Sequence, residues 1–229
     1  SRSLRLGSEA AVDAARLTER LLSGATNYGA NLWLGCQATG FRTIGGRING
    51  VVTAQGVIAA DQVVIAAGVA TEALLAPLGM ALPMLSRPGL MVCTRPLPPT
   101  IHHILVSPHG ELRQDRSGRI LAPTAAAHQG DATETITQLP GDAAKATMGM
   151  LRSLLPGVDL QLEVVKMAHR PVPADGLPVV GPLGIDGLYV ATMHSGVTLA
   201  PLIATLVRDE VLLGEKAALL APFRPQRLH

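Results

Sequence analysis

Residues 62–67 (QVVIAA) form an unbroken apolar run that stops at Gly68. Successive apolar residues present hydrophobic side chains to both faces of a strand, which suits a buried central strand of a parallel sheet. Ending that strand on small residues and a glycine brings bare backbone to the sheet edge. In open α/β sheets ligands bind at that edge, and a residue without Cβ allows close approach. The competing reading is a tight strand-to-helix turn with no ligand.

The rest of the chain alternates in kind. Residues 11–23 repeat Val12, Leu17, Leu21 and Leu22 at helical spacing, and residues 32–41 read as a strand carrying Trp33 and Phe41. Short strands joined by tight turns are expected over 47–61, and a short helix capped by Thr71 before Pro77. Residues 90–94, 104–107, 111–114 and 119–122 are strand candidates separated by proline and glycine, the pattern of an antiparallel sheet. A helix is expected over 142–155, a strand over 162–168, an apolar run over 188–191 and an amphipathic helix over 198–213 with Gly214 beyond it. The expected fold class is therefore α/β (α+β). Residues 1–84 and 170–229 form one incomplete layered unit, and residues 85–169 an antiparallel sheet inserted into it.

Composition narrows the function classes. Hydrophobic residues make up 48% of the 229-residue chain, which argues against disorder. Nineteen Lys and Arg against 17 Asp and Glu give a net +2 with no basic block, and aromatics are only 2%, so no nucleic-acid surface is expected. Apolar stretches are broken by Glu72, Pro77 and Pro83, and no signal sequence is visible, which reads as a cytoplasmic protein. Cys36 and Cys93 sit in apolar runs and read as reduced core residues. His102, His103 and His109 lack carboxylate or cysteine companions at ligand spacing, so no metal is expected.

Two further stretches carry candidate chemistry. The first, residues 187–201 (GLYVATMHSGVTLAP), reads as strand, small polar loop, then helix. Free N–H groups and the dipole at that helix start favour a negative group, while Thr198 as a simple cap and His194 as an ordinary loop residue are the plainer alternatives. The second holds Arg170, at a strand end and followed by Pro171 and Pro173. Its planar fork suits a carboxylate, against the plainer reading of a surface arginine.

The order GVxTxxGxIxADxVVxAAG, RPxPxDGLPxVG, GLYVATxHSGVTLAP resembles the FAD-dependent D-amino-acid oxidase family, which includes glycine oxidases, sarcosine oxidase-like enzymes and amino-acid dehydrogenases. The resemblance implies a partial Rossmann-like FAD-binding layer with an inserted antiparallel-sheet substrate domain. It places Ala38 at the adenine, and Ala67 and Gly68 against the dinucleotide. Arg170 falls on the substrate carboxylate, and His194, Ser195, Gly196, Val197 and Thr198 face the isoalloxazine ring. It implies an amino acid or secondary amine as substrate, oxidised by hydride transfer to flavin N5, with no catalytic acid or base among the side chains. Substrate-pocket residues would come from the inserted sheet, with Met91, Cys93, His103 and Arg113 as candidates.

One departure matters. Members of this family begin with a strand, a GxGxxG turn and a helix that bind the FAD pyrophosphate, and no GxGxxG occurs here; the segment Gly181-Pro182-Leu183-Gly184 has the wrong spacing and a proline. The chain is thus expected to be the C-terminal part of a flavoenzyme, with weak or absent FAD binding on its own. The alternative is a non-catalytic remnant, or a subunit that needs an N-terminal FAD-binding segment or partner chain to complete the site.

Overall fold

The computed structural model describes residues 10–85, 87–108, 110–124 and 140–228. In chain order the elements are α1 (Ala14–Asn27), β1 (Ala38–Ile44), β2 (Arg47–Thr53), β3 (Gly56–Ile58), β4 (Val63–Ile65), α2 (Thr71–Leu75), β5 (Met84–Leu85), β6 (Pro88–Thr94), β7 (Leu105–Ser107), β8 (Gly110–Gln114) and β9 (Ile120–Pro123). There follow α3 (Pro140–Leu154), β10 (Leu162–His169), β11 (Val172–Pro173), β12 (Val179–Pro182), β13 (Leu188–Thr192) and α4 (Gly196–Arg208). They divide into two compact units. Ser1–Ala30 groups with Arg87–His169, and Asn31–Ser86 groups with Arg170–His229.

The first unit is built on a five-stranded sheet of order β10-β6-β9-β8-β7, antiparallel throughout. The proline and glycine breaks in the sequence separate its strands as expected, since neither residue continues a ladder easily. α3 lays Ala144, Met148 and Leu151 on Val92, Leu112, Ile120 and Ala122, which closes one core. The first helix, α1, is capped by Asp13, whose Oδ1 accepts from the Arg16 N–H at 3.1 Å. Its expected apolar stripe forms but none of its residues is buried.

In the second unit β4 and β13 run parallel, pairing Val63 with Leu188, Val64 with Tyr189 and Val190 with Ile65. β12 pairs antiparallel on the other side of β13, so the order is β12-β13-β4. The parallel pairing matches the sequence expectation; the central position does not. Here β13 is the middle strand, buried on both faces. Leu188 and Val190 join Ile48, Ile65, Leu75 and Val179 on one side, and Tyr189 joins Val180, Ile203 and Val207 on the other. Among the described residues β4 is an edge strand, and Val64 is 41% exposed. A two-sided apolar pattern reports the capacity for burial, not which strand receives both neighbours. A separate three-stranded antiparallel sheet, β1-β2-β3, completes the unit together with the short β5–β11 pair.

Two other boundaries differ from expectation. The strand expected from residue 32 begins only at Ala38, because the chain turns at Trp33–Cys36 (Cys36 N–H to Trp33 O, 3.4 Å), with Gly35 in the left-handed region at φ 69°. Helix α4 starts at Gly196, two residues early, and its last expected turn, Asp209–Leu213, winds as a π-helix.

That π turn sets Glu210 in a buried network. Arg224 donates to it twice, at 2.7 and 2.5 Å, the Tyr189 hydroxyl donates at 2.5 Å and the Ala217 N–H at 2.8 Å. Together with Arg227 on Asp175 (2.6 Å), these bonds tie the C-terminal residues to the second unit. The Arg224 guanidinium beside Glu210, helped by Tyr189 and the Ala217 N–H, holds its carboxyl at about 2, from an ordinary 4.5. A carboxylate so depressed stabilises the fold fully above its ordinary value, and that contribution is lost as pH falls through its folded value. In urea unfolding, Arg224→Met is expected to cost about 3 kcal/mol near neutrality, because it leaves Glu210 (side chain 8% exposed) buried without its cation. The stability gap between the native chain and Glu210→Gln should narrow as pH falls from about 4.5 toward 2. A gap independent of pH removes Glu210 as an ionised anchor.

Candidate functional site

The parallel pairing carries β4 and β13 to the same sheet edge. β4 ends at Ile65, and the chain leaves through Ala66 and Ala67 to Gly68. Gly68 is left-handed at φ 56°, which an L side chain adopts only with strain, and it opens a single 3₁₀ turn into α2. A methyl group placed on it would lie 3.8 Å from Pro171 Cβ, so the residue after Arg170 closes over this turn. β13 ends at Thr192, and Met193, His194 and Ser195 lead into α4.

A cavity of about 580 Å³ lies along this edge. Ala66, Gly68, Pro171, Thr192, Met193 and Gly196 line its end at the strand termini, and it continues past Val64, Ala200, Ile203, Ala204 and Val207 along α4. The lining is small and apolar at both strand ends, and a Cβ on Gly196 would meet nothing within 4 Å. Polar character comes from Arg208, which lines the cavity at the C-terminal end of α4 and pairs with Asp209, and from the helix start. Ser195 caps α4 without a side-chain bond, and the first intrahelical bond runs from the Leu199 N–H to Ser195 O at 2.9 Å. The N–H groups of Gly196, Val197 and Thr198 therefore have no acceptor within the helix, and the dipole of this 13-residue helix adds to their pull on an anion or carbonyl. The His194 Nδ1 and Ser195 Oγ stand 3.4 Å apart in the exposed turn.

Of the residues singled out in the sequence, Gly68 and Gly196 line the cavity. Ala67 and Arg170 are half-buried chain neighbours of lining residues, and His194, Ser195, Val197 and Thr198 are exposed at the helix start. Ala38 opens β1 in the separate β1-β2-β3 sheet. Sequence reading did not single out Ala66, Pro171, Thr192 or Met193; each lay inside a quoted motif, but nothing in the sequence alone said which residues face the cavity. In the other unit the register places Cys93, Leu121 and Arg113 in one row across β6, β9 and β8, with His103 in the exposed segment before β7. Cys36 and Cys93 are free thiols, and burial pushes the Cys93 thiol up. Among the described residues no three His, Cys, Asp or Glu side chains gather into a metal group, and no helix is long and apolar enough to cross a membrane. His109 lies outside the described residues.

The residues fit a flat ring. Two Cβ-free or small-residue bends flank a largely apolar slot, and a helix start supplies donors. A sheet edge of this kind, with a helix N-terminus beside a parallel strand end, is how open α/β proteins bind flavin and nucleotide cofactors. The chain belongs to the DAO family of FAD dependent oxidoreductases, whose family model matches residues 2–210. It is similar to the glycine oxidase of Pseudomonas putida, with 33% identity over 196 residues, covering 83% of this chain and 52% of that protein. Among solved structures it is similar to glycine oxidase from Geobacillus kaustophilus (26% identity, TM-score 0.75, 92% of this chain and 57% of the other). It shares the fold of L-proline dehydrogenase from P. horikoshii (21% identity, TM-score 0.79, 93% of this chain and 59% of the other). The chain spans about half the length of the relatives it matches.

Gly68→Ala is expected to lower stability by about 1–2 kcal/mol, since the left-handed backbone and not lack of space is what excludes a side chain there. Chemical unfolding of the variant measures it, and an unchanged midpoint would mean the turn is not left-handed.

Proposed function

We propose that this chain carries the ring-binding and carboxylate-binding side of an FAD-dependent oxidoreductase acting on an amino acid or a secondary amine. The observation that supports the reading is the meeting, within one unit, of Gly68, of Pro171 directly after Arg170, and of Gly196 at the start of α4 around a single cavity. In this reading the apolar slot takes the ring face, and the N–H groups at 196–198 favour negative charge on the ring edge that meets them. His194 and Ser195 border that edge, Ala67 and Gly68 lie against the dinucleotide, and Ala38 meets the adenine. Arg170 holds the substrate carboxylate with its planar fork. FAD, when bound, would supply a two-electron acceptor for the substrate Cα hydride. The protein contributes orientation and charge stabilisation, with no side-chain acid or base assigned. Residues 85–169 supply the substrate-side domain.

A second reading accompanies it. The outer edge of β4 has no strand partner among the described residues, and the cavity runs on as a largely apolar trough beside Val64, Ala200, Ala204 and Val207, with Arg208 at its α4 end. That pattern suits a further polypeptide segment, in the same chain or another, that completes the FAD fold with the missing GxGxxG turn. A GxGxxG segment encoded in frame upstream, or in an adjacent gene, supports the enzyme; its absence from both favours a non-catalytic remnant.

The ring has roughly 18 non-hydrogen atoms; at about 0.3 kcal/mol each, anchoring by the ring alone gives about 5 kcal/mol and a Kd on the order of 0.1 mM. The isolated chain is therefore expected to purify colourless and to bind FAD and riboflavin with similar, weak affinity in equilibrium dialysis. Stoichiometric yellow protein would place a full pyrophosphate site in this chain. In the complete enzyme, with its N-terminal FAD-binding segment, assayed with D-amino acids, glycine, sarcosine and proline, Arg170→Ala should raise KM on the order of 30-fold or more with FAD affinity unchanged, the loss of a charge-assisted pair worth about 2–4 kcal/mol. Unchanged KM rejects Arg170 as the carboxylate clamp.

A further inference from the structure

The last described residues of the chain lie along β12, at the other margin of the β12-β13-β4 sheet. Arg224 Nη1 donates to Val180 O at 3.4 Å, and Gln226 Nε2 donates to Pro182 O at 3.1 Å. A Cβ on Gly181 would stand 2.8 Å from Pro225 Cδ, so the glycine is what admits the proline. Beyond them Arg227 reaches the turn that follows Arg170. Its Nε and Nη2 meet the two carboxylate oxygens of Asp175 at 2.6 and 3.0 Å, and Nη2 also donates to Leu177 O at 3.1 Å. Nη1 donates to Arg224 O at 3.1 Å. The Arg227 side chain is 19% exposed and that of Asp175 33%, and the two-point geometry makes this a fixed pair and not a loose surface contact. The guanidinium holds the Asp175 carboxyl below its ordinary range.

The chain between Arg170 and this pair is stiff, and its ladder is short. Pro171 and Pro173 have fixed φ and carry no N–H. β11 pairs with β5 at two positions, Val172 with Leu85 and Pro173 with Met84. Past it, the Ala174 N–H donates to Pro83 O at 3.0 Å and the Gly176 N–H to Pro173 O at 2.8 Å. Asp175 then accepts from the Leu177 N–H at 3.0 Å while it is held by Arg227. We propose that Arg227 is a positioning residue for Arg170: by gripping Asp175 it fixes the far end of the proline-stiffened segment 171–175, and with it the direction of the Arg170 fork. The proposal rests on the carboxylate-binding reading of Arg170 given above and adds a residue outside every motif quoted for it. A segment with two fixed φ angles carries a rotation at its Asp175 end back to its Arg170 end. A fork turned off line loses one of its two bonds to a carboxylate, and small misplacements of a binding group are costly. The same C-terminal residues are held to Glu210, after α4, through Arg224, so one segment ties both flanks of the cavity.

The test uses the complete enzyme, with its N-terminal FAD-binding segment, and whichever of D-amino acids, glycine, sarcosine and proline it turns over. Arg227→Met should raise KM on the order of 5–10-fold, with kcat and FAD affinity within about 2-fold of native. Asp175→Asn should behave alike, and the double variant should be no worse than either single one, since both remove the same pair. Arg227→Lys keeps the charge without the fork and should raise KM about 2–4-fold; it also serves where Arg227→Met fails to fold. Arg47→Met is the control: it breaks the exposed pair with Asp186 in the same unit and should leave KM within about 2-fold. In the 229-residue chain alone, Arg227→Met should speed hydrogen exchange at the Leu177 amide on the order of 10-fold, and an unchanged rate would mean that Arg227 does not fix this turn. A native KM in Arg227→Met and Asp175→Asn, with KM raised by Arg170→Ala, would overturn the role of Arg227 and leave the carboxylate reading standing. A fall in kcat and FAD affinity alongside the rise in KM would overturn it as well, because a loosened fold moves all three. A KM that Arg170→Ala does not move would sink the carboxylate reading, and the role of Arg227 with it.

Discussion

The parallel pairing of β4 with β13 is the constraint on which the candidate site depends. Two strands far apart in sequence must lie side by side, with Val190 opposite Ile65, before their ends can reach one edge. Parallel neighbours leave the sheet at the same end, so the Gly68 turn and the start of α4 become neighbours as a consequence of that register. An antiparallel pairing of the same segments would send the two bends to opposite edges, and no slot would form between them.

What holds the register is burial of β13 from both sides. Leu188 and Val190 face the core that includes Ile48, Ile65 and Leu75, while Tyr189 faces Ile203 and Val207 of α4. A one-residue slip would move each of these side chains to the opposite face and into the wrong core. Tyr189 also carries a polar tip, which reaches Glu210 and through it Arg224. The π turn at the end of α4 therefore does more than finish a helix: it fixes the carboxylate that ties the C-terminal residues back to the strand the site is built on. A buried ion pair is a poor source of net stability, but its geometry specifies one arrangement among several apolar alternatives.

Membership of the DAO family and the absence of a GxGxxG turn describe one situation. In the function proposed above, the half of the cofactor site that would recognise a ring and a carboxylate draws on small residues at strand ends and an arginine, the roles proposed for Gly68, Gly196 and Arg170. The half that recognises a pyrophosphate needs a glycine-rich turn at another helix start. Among the described residues the outer edge of β4 has no strand partner and lies beside a largely apolar trough that includes Ala200, Ile203, Ala204, Val207 and Arg208, where such an element would find both backbone to pair with and apolar surface.

Much was legible in the residues themselves. Proline and glycine marked where strands of the antiparallel sheet begin and end, because those residues are tolerated at strand ends, as Pro88, Gly110 and Pro123 are, and disfavoured in strand interiors. Asp142 and the Pro156-Gly157 pair bracketed α3 to within two residues, because caps and breakers act locally. The order of three short motifs pointed to a flavoprotein because two are backbone requirements written in small residues and the third sets an arginine fork before two prolines. Local chemistry did not say that β13 and not β4 takes the middle of its sheet, that Trp33 stands in a turn before β1, or that α4 ends in a π turn so that Glu210 meets Arg224. Those outcomes depend on which partner each segment meets across the sheet, and a linear pattern records what a side chain prefers without recording its neighbour.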